Sequence, residues 1–129
     1  MLLTSQAYVE QTKKQIQVIS VAELVTRQSQ FFVVDIREAN EVALGKIPGA
    51  IAISRGVLEM KITAELEKHQ QNIQNQCELS AQPIVLYCQS GARSAFAANS
   101  LTNMGFSCVY SLDGGIKAWQ VQNLPMQKV

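Results

Sequence analysis

The segment IVLYCQSGARSAF, residues 84–96, decides the fold and raises the main question about function. It begins with a short apolar run that ends at Cys88, which is the pattern of a strand buried inside a sheet. Small residues around Gly91 follow, and apolar side chains then recur at helical spacing as far as Met104, where Gly105 ends the pattern. The segment predicts a strand, a tight loop and a helix, with a cysteine where the strand ends.

Strand and helix patterns alternate along the rest of the chain. Apolar runs predict further strands at residues 17–19, 31–36 and 107–112, and a short one after the Pro-Gly turn of IPGAIAI. Helices are predicted at residues 5–15, after a capping box of Ser20 and Glu23, around 39–43 with Gly45 at the end, and at 63–76 and 116–122. The helix at 63–76 would place Ile62, Leu66, His69 and Ile73 on one apolar face, where His69 is expected to be packed, and DGG at residues 113–115 is predicted to form a turn. This alternation predicts an α/β domain with a central, mostly parallel sheet of about five strands flanked by helices.

Length and composition limit the classes of function. A chain of 129 residues suits one compact domain, and 47% hydrophobic with 16% charged residues is ordinary for a globular protein. Eleven basic and ten acidic residues leave a net charge of +1 without a block of like charge, so neither nucleic acid nor a membrane surface is an expected partner. No apolar run approaches the roughly 18 residues of a membrane span. No secretory signal is visible, and the expected location is cytoplasmic.

The three cysteines do not form a recognisable metal or disulfide pattern. The spacing between the cysteines gives no C-x-x-C pair, since they stand at Cys77, Cys88 and Cys108. His69 is the only histidine, so no metal site and no cofactor are predicted. Cys108 lies in a predicted strand and is expected to be buried and inert. Cys77 follows a polar segment and is expected to be a bystander thiol, with a role as a second sulfur acceptor or disulfide partner of Cys88 left open.

The loop after Cys88 has the composition of an anion-binding turn. In a parallel sheet, ligands bind beyond the carboxyl ends of the strands, which is where Cys88 is predicted to lie. Small side chains around a glycine let the backbone curl and point successive N–H groups inward, in the stretch Gln89, Ser90, Gly91 and Ala92. The helix that begins near Arg93 directs the positive end of its dipole to the same place.

This environment favours a reactive thiolate. A cysteine thiol has an ordinary pKa of about 8.5, and helix N-termini or neighbouring cations commonly bring such values below about 7.5. Arg93 has three open roles: a positive charge, a two-point hydrogen-bond donor to an oxyanion, or a brace for the loop. The alternative is that Cys88 is only a buried apolar residue at a strand end. Gly91 and Arg93 in a strand-loop-helix context favour the reactive interpretation.

Several motifs resemble those of the rhodanese-like sulfurtransferases. CQSGARS, residues 88–94, resembles their active loop C-x-x-G-x-R-S. VVDIREANEVALGKIPGAIAI, residues 33–53, resembles their strand ending in D-x-R, short helix and G-H-I-P-G-A turn, and SLDGGIKAW resembles their closing G-G-x-x-x-W segment. The resemblance covers roughly residues 17–122 and implies a three-layer rhodanese-like domain at 17–129, preceded by a helical extension at 1–16.

The resemblance also implies a chemistry. Cys88 would be the nucleophile that carries sulfur as a persulfide, and the backbone of Gln89 to Arg93 would bind the sulfur and any leaving anion. The implied donor is a small sulfur anion such as thiosulfate, and the implied acceptor is cyanide or a thiol, including one on a protein. Asp35 and Arg37 would brace the loop as a charge pair, with Ser94 in support.

Other features leave alternatives open. Cysteine-dependent phosphatases resemble this design but have five residues between cysteine and arginine, whereas four stand here, which disfavours a phosphate or arsenate enzyme. A non-enzymatic persulfide carrier or binding module, docking through the N-terminal helix, is the main alternative to a sulfurtransferase.

Glu41 either joins the Asp35 and Arg37 network or is solvated. Lys46 replaces a histidine that is usual in the family, so no role is assigned to that position.

Overall fold

A sheet of five parallel strands forms the centre of the computed structural model, which describes residues 1–74 and 77–129. The strands follow the spatial order β1-β5-β4-β2-β3, and every neighbouring pair is parallel. Their bounds are Gln17–Ile19 (β1), Phe32–Asp35 (β2), Ile51–Ala52 (β3), Ile84–Tyr87 (β4) and Val109–Leu112 (β5). The α/β class and the parallel sheet predicted from the sequence are confirmed.

Six helices surround the sheet within the described ranges. They are Ser5–Lys13 (α1), Val21–Arg27 (α2), Ala39–Val42 (α3), Leu58–Ile73 (α4), Ala92–Met104 (α5) and Gly115–Val121 (α6). The predicted capping box of Ser20 and Glu23 opens α2, and Gly105 ends α5 with a positive φ. None of the helices in this part of the chain has the length and apolar character needed to cross a membrane.

The central strands are buried on both faces, which explains their continuous apolar sequences. Ile84 and Leu86 of β4 pack with residues of α4 and α5 on one face. Val85 and Tyr87 of the same strand pack with residues of α2 and α6 on the other face. Each side chain of β4 therefore contributes to one of two cores. The result is the three-layer arrangement implied by the resemblance.

Helix α4 differs from its prediction. It begins at Leu58, directly after a 3-10 turn, rather than at residue 63. Its buried face consists of Leu58, Ile62, Leu66 and Gln70, whereas Ile73, which was predicted to share that face, is exposed. The predicted end at residue 76 lies outside the described residues. The error arose because the periodic pattern was followed from Ile62 onward, and Leu58, one turn earlier, was missed.

Helix α1 lies against the domain. The ring of Tyr8 lies 4.9 Å from that of Phe96 in α5, measured between centroids. Thr12 is buried, and its hydroxyl donates to the carbonyl of Tyr8. The extension predicted at residues 1–16 therefore packs on the helix that follows the cysteine loop. The division of the chain at residue 17 stays a prediction.

The other two cysteines lie away from Cys88. Cys108 precedes β5 and is half-buried rather than buried within a strand, which corrects the prediction. Its carbonyl accepts from the N–H of Ile84 at the amino end of β4, whereas Cys88 follows the carboxyl end, about 13 Å along a four-residue strand. Cys77 stands before Ser80, whose carbonyl accepts from the N–H of Ser107 at the same amino edge. This placement disfavours a disulfide with Cys88, since bridged Cα atoms lie within about 7 Å.

His69 packs against the sheet, as predicted from its position on the apolar face of α4. Its ring centroid lies 4.7 Å from that of Phe32. Burial lowers the pKa of His69 from its ordinary value of 6.5, because the charged imidazolium loses hydration there. The neutral ring is therefore the form that the fold favours.

This burial predicts a pH dependence of stability. As the pH falls below 6.5, the unfolded chain takes up the His69 proton before the folded chain does, so the free energy of unfolding decreases. The variant His69→Gln should lose this decrease while keeping the part due to carboxylates. Urea unfolding of both proteins at neutral and at mildly acidic pH measures it. An equal decrease in both proteins would contradict the assignment.

Candidate active site

Cys88 lies directly after β4, and its side chain is buried. Its Sγ accepts hydrogen bonds from the backbone N–H of Gly91 at 3.2 Å and of Ser94 at 3.4 Å. The hydroxyl oxygen of Ser94 lies 3.6 Å from the same sulfur. Helix α5 begins at Ala92, so its N-terminal turn surrounds the sulfur. Of residues 89–92, whose N–H groups were predicted to face inward, Gly91 donates to this atom, and the second donor, Ser94, lies beyond that stretch.

The loop is held in this orientation through its carbonyl groups. The carbonyl of Cys88 accepts from the N–H of Ile116 at 2.9 Å, and that of Gln89 accepts from Lys117 at 3.1 Å. Both donors belong to the first turn of α6, whose N–H groups have no partner within their own helix. The carbonyls of the loop thus point toward α6, which leaves N–H groups of the loop available to the sulfur.

Two glycines allow α6 to approach the loop this closely. Gly115 has a φ of +59°, and a Cβ added there would lie 2.5 Å from the carbonyl oxygens of both Cys88 and Gln89. Gly91 has a φ of +107° at the start of α5, a conformation that side chains rarely adopt. From the sequence, residues 113–115 were predicted only to form a turn. Their contact with the cysteine loop is a finding of the structure.

Arg93 braces the loop instead of touching the sulfur. Its guanidinium forms two hydrogen bonds with the carboxylate of Glu41, at 2.7 and 2.8 Å. These bonds lower the pKa of Glu41 to about 2, and they raise the pKa of Arg93. Of the three roles left open for Arg93, the geometry supports bracing, with its positive charge also acting on Cys88. Glu41 therefore forms an ion pair with Arg93, which is neither the hydrogen-bonded membership of the Asp35 and Arg37 pair nor the solvated position that the sequence left open.

The ion pair gives a prediction for Glu41→Gln. The variant keeps the shape of the side chain but removes the charge, so Arg93 is held less firmly, and the rate of the sulfur transfer that the resemblance implies should fall about three- to tenfold. Its effect on stability should be present above pH 4.5 and disappear as the pH falls toward 2, where Glu41 is protonated. Steady-state rates and urea unfolding at several pH values measure both effects. Glu67→Gln, an exposed position on α4, is the control, and equal behaviour of the two variants would contradict the prediction.

Asp35 and Arg37 form the predicted charge pair, and it is buried. The guanidinium of Arg37 donates to the Asp35 carboxylate at 2.8 Å and to the carbonyl of Gly45 at 2.7 Å. The hydroxyl of Tyr87 donates to Asp35 at 2.7 Å and accepts from the N–H of Ile47 at 3.0 Å. The network joins the ends of β2 and β4 to the turn after α3. It thereby fixes the residue that precedes Cys88.

The charges of this network are stabilised by their partners. Burial by itself lowers the pKa of Arg37, but the hydrogen bonds and charge of Asp35 outweigh it, and the pKa is raised. Burial and the neighbouring Asp35 charge raise the pKa of Tyr87, so the phenol stays protonated and donates. Tyr87 was not identified from the sequence as part of this network. A tyrosine inside the apolar run before a cysteine was the available signal.

Lys46 serves the turn in which it stands. Its ammonium group donates to the carbonyl of Ala50, and its backbone pairs with Gln127 near the end of the chain. These contacts give Lys46 a local structural role. The sequence assigned it no part in the chemistry, and that stays a prediction.

Two clefts open beside the cysteine loop. One, of about 360 Å³, lies between α1 and a set formed by Ser90, Ala92, Arg93 and Phe96. A larger one, of about 640 Å³, extends along α5 and includes Tyr8, Arg55 and Arg93. Residues of the predicted substrate-binding loop therefore line an accessible cleft together with α1. Within residues 1–74 and 77–129, no cluster of His, Cys, Asp or Glu has the arrangement to hold a metal ion.

Comparison with known proteins agrees with this architecture. The family model of the rhodanese-like domain matches residues 19–122. The thiosulfate sulfurtransferase GlpE of Vibrio cholerae is 30% identical over 110 residues, which cover 84% of this chain and 91% of that protein.

Solved structures with the same fold include two at 25% identity or more. A rhodanese-related protein of Thermoplasma volcanium is 25% identical, with a TM-score of 0.70, and the match covers 86% of this chain and 97% of the other. A protein of Rhodopseudomonas palustris, described as a possible tyrosine phosphatase, is 28% identical, with a TM-score of 0.79, over 98% and 96% of the two chains.

Proposed function

The chain belongs to the rhodanese-like domain family, and from this premise we propose that it is a sulfurtransferase that carries sulfur as a persulfide on Cys88. The observation that supports this most directly is the pair of N–H groups, from Gly91 and Ser94, that both point at the sulfur of Cys88. Such donors stabilise a thiolate, and they equally stabilise the charge that moves onto the sulfur when a persulfide is cleaved.

The reaction proceeds in two half-reactions. The Cys88 thiolate attacks the outer sulfur of thiosulfate, the S–S bond of the donor breaks, and sulfite departs with the electron pair. A cyanide ion or thiolate then attacks the outer sulfur of the persulfide, the new S–S bond breaks, and the Cys88 thiolate is restored. This route uses no general base, because each half-reaction is written with the nucleophile in its anionic form.

The size of the loop supports transfer of sulfur over transfer of phosphate. Four residues, 89–92, separate Cys88 from Arg93, and the N–H groups of Gly91 and Ser94 lie within hydrogen-bonding distance of one sulfur atom. Arg93 is paired with Glu41, so both of its terminal nitrogens are engaged and are not directed at a phosphoryl group. These features outweigh the likeness to the Rhodopseudomonas palustris protein described as a possible phosphatase.

Thiosulfate is the proposed donor and a small or protein thiol the proposed acceptor. The Vibrio cholerae relative is named a thiosulfate sulfurtransferase, which supports the donor. The cleft between α1 and the loop, with Ser90 and Arg93 in its wall, offers an acceptor a route to the loop. The cytoplasmic location predicted from the sequence remains a prediction.

Steady-state kinetics with thiosulfate and cyanide tests this function. Varying the two substrates against each other should give parallel lines in double-reciprocal plots, because sulfite leaves before the acceptor reacts. Intersecting lines would contradict the persulfide route.

A persulfide carrier acting between proteins is the second candidate. The position of α1 beside the cysteine loop favours it, since a partner that contacts the loop also meets this helix. A carrier would accept sulfur from a low-molecular-weight persulfide but show no sustained turnover of thiosulfate. The same assay with each donor therefore separates the two candidates.

A further inference from the structure

Two serine hydroxyls are buried side by side behind Cys88. The Oγ of Ser94 lies 2.7 Å from the Oγ of Ser111 in β5, and both side chains are buried. Ser111 shares a face of β5 with the buried Val109, where α5 packs and where alternation along the strand calls for an apolar residue. A polar side chain that is buried in such a place needs a hydrogen-bond partner.

The hydrogen bonds of these hydroxyls depend on the state of the sulfur. If Cys88 is a thiol, its S–H donates to Ser94, and Ser94 donates to Ser111. The proton of Ser111 then has no acceptor, because Ser94 is its only side-chain partner in the described part of the chain. A buried donor without an acceptor destabilises this state.

When Cys88 carries no proton, the hydrogen bonds between these side chains can run in the opposite direction, and every donor then has an acceptor. Ser111 then donates to Ser94, and the hydroxyl of Ser94 donates to the sulfur, which already accepts from two backbone N–H groups. A persulfide leaves the sulfur of Cys88 equally without a proton. The chain of hydroxyls therefore matches the thiolate and the sulfur-loaded form better than the thiol.

We propose that Ser111 is a positioning residue that directs the hydroxyl of Ser94 toward the sulfur of Cys88. The inference rests on the proposed function in that Cys88 is taken as the sulfur carrier. Ser111 acts through Ser94 and does not touch the substrate.

Ser94 needs such a partner because a serine in a helix has a competing acceptor. The hydroxyl of a helical serine commonly turns to the carbonyl four residues earlier, here that of Ser90. When Ser111 donates to Ser94, it occupies the oxygen and leaves the Ser94 proton directed at the sulfur. Hydrogen bonds linked in this way also polarise one another.

The test measures how fast iodoacetamide alkylates Cys88 as a function of pH, followed on the Cys88 peptide by mass spectrometry. In Ser111→Ala the midpoint of this profile should move up by about half a pH unit, and in Ser94→Ala by about one unit. Ser111→Thr keeps the hydroxyl and should restore the wild-type midpoint. The charged groups on the elements around Cys88 are unchanged in all of these variants. They are Arg93 with its partner Glu41, Glu38, whose charge acts on Arg93, the Asp35 and Arg37 pair bound to Tyr87, and Lys117 in the first turn of α6.

Val109→Ala is the matched control. It removes a buried side chain from the same face of β5, so it should lower stability without moving the alkylation midpoint. A midpoint in Ser111→Ala equal to that of the wild type, or one shared with Val109→Ala, would overturn the role of Ser111.

The outcome separates this role from the proposed function. Alkylation does not require sulfur transfer, so a shifted midpoint in Ser111→Ala supports the positioning role even if the wild type accepts no sulfur. An unchanged midpoint in a protein that does transfer sulfur overturns the positioning role and leaves the function in place.

Discussion

Replacing Cys88 with serine is expected to lower the rate of sulfur transfer from thiosulfate to cyanide by about three orders of magnitude or more. A serine hydroxyl does not ionise near neutral pH, and an oxygen atom at this position cannot form the sulfur–sulfur bond of a persulfide. The fold should survive, because the serine oxygen can accept from the same N–H groups of Gly91 and Ser94. Initial rates of thiocyanate formation measure the loss.

The other two cysteines provide the control for this experiment. Cys77→Ser and Cys108→Ser change thiols on the amino side of the sheet, away from the loop, and both variants should retain the wild-type rate. A Cys88→Ser protein with a rate near that of the wild type would remove the basis of the mechanism. A large loss in Cys77→Ser would show that a second thiol takes part.

Replacing Gly115 with alanine is expected to have the second largest effect. The added Cβ would lie 2.5 Å from the carbonyl oxygens of Cys88 and Gln89, and alanine is strained at a φ of +59°. We expect a loss of about 2–4 kcal/mol in the free energy of unfolding. Because α6 must move away from the loop, the transfer rate should also fall about a hundredfold.

Gly56→Ala is the control for the substitution itself. Gly56 has no φ in the left-handed region, and a Cβ added there meets no atom within 4 Å. The stability and transfer rate of the Gly56→Ala variant should stay close to those of the wild type. Urea unfolding and initial rates compare the two variants. If Gly115→Ala behaves like Gly56→Ala, the contact between α6 and the loop does not control the site.

The fold was predictable where the signal is local. The run at residues 84–88 predicted β4 because a strand buried on both faces has no polar positions to interrupt it. The capping box at Ser20 and Glu23 marked the start of α2 for a similar reason, since both partners lie within one turn. The start of α4 was wrong because a 3-10 turn leads directly into the helix at Leu58, without a side-chain cap.

The candidate site was predictable only in part. Cys88 and the N–H groups that donate to its sulfur lie within one short stretch of sequence, so their arrangement follows from local sequence. The partners that hold this loop come from other elements: Glu41 from α3, Ser111 from β5 and Gly115 from α6. Which of many glutamates, serines and glycines meets the loop depends on the order of strands in the sheet. That order is a property of the whole fold and is absent from any local pattern.

Intact-protein mass spectrometry after incubation with thiosulfate tests the central claim most directly. The wild type should gain one sulfur atom, about 32 Da, and lose it again when cyanide is added, because the sulfur is held in a persulfide. Cys88→Ser should gain nothing under the same conditions. A low-molecular-weight persulfide, used as a second donor, separates an unsuitable donor from an inactive site. A gain of sulfur by Cys88→Ser equal to that of the wild type, or no gain by the wild type from either donor, would contradict Cys88 as the sulfur carrier.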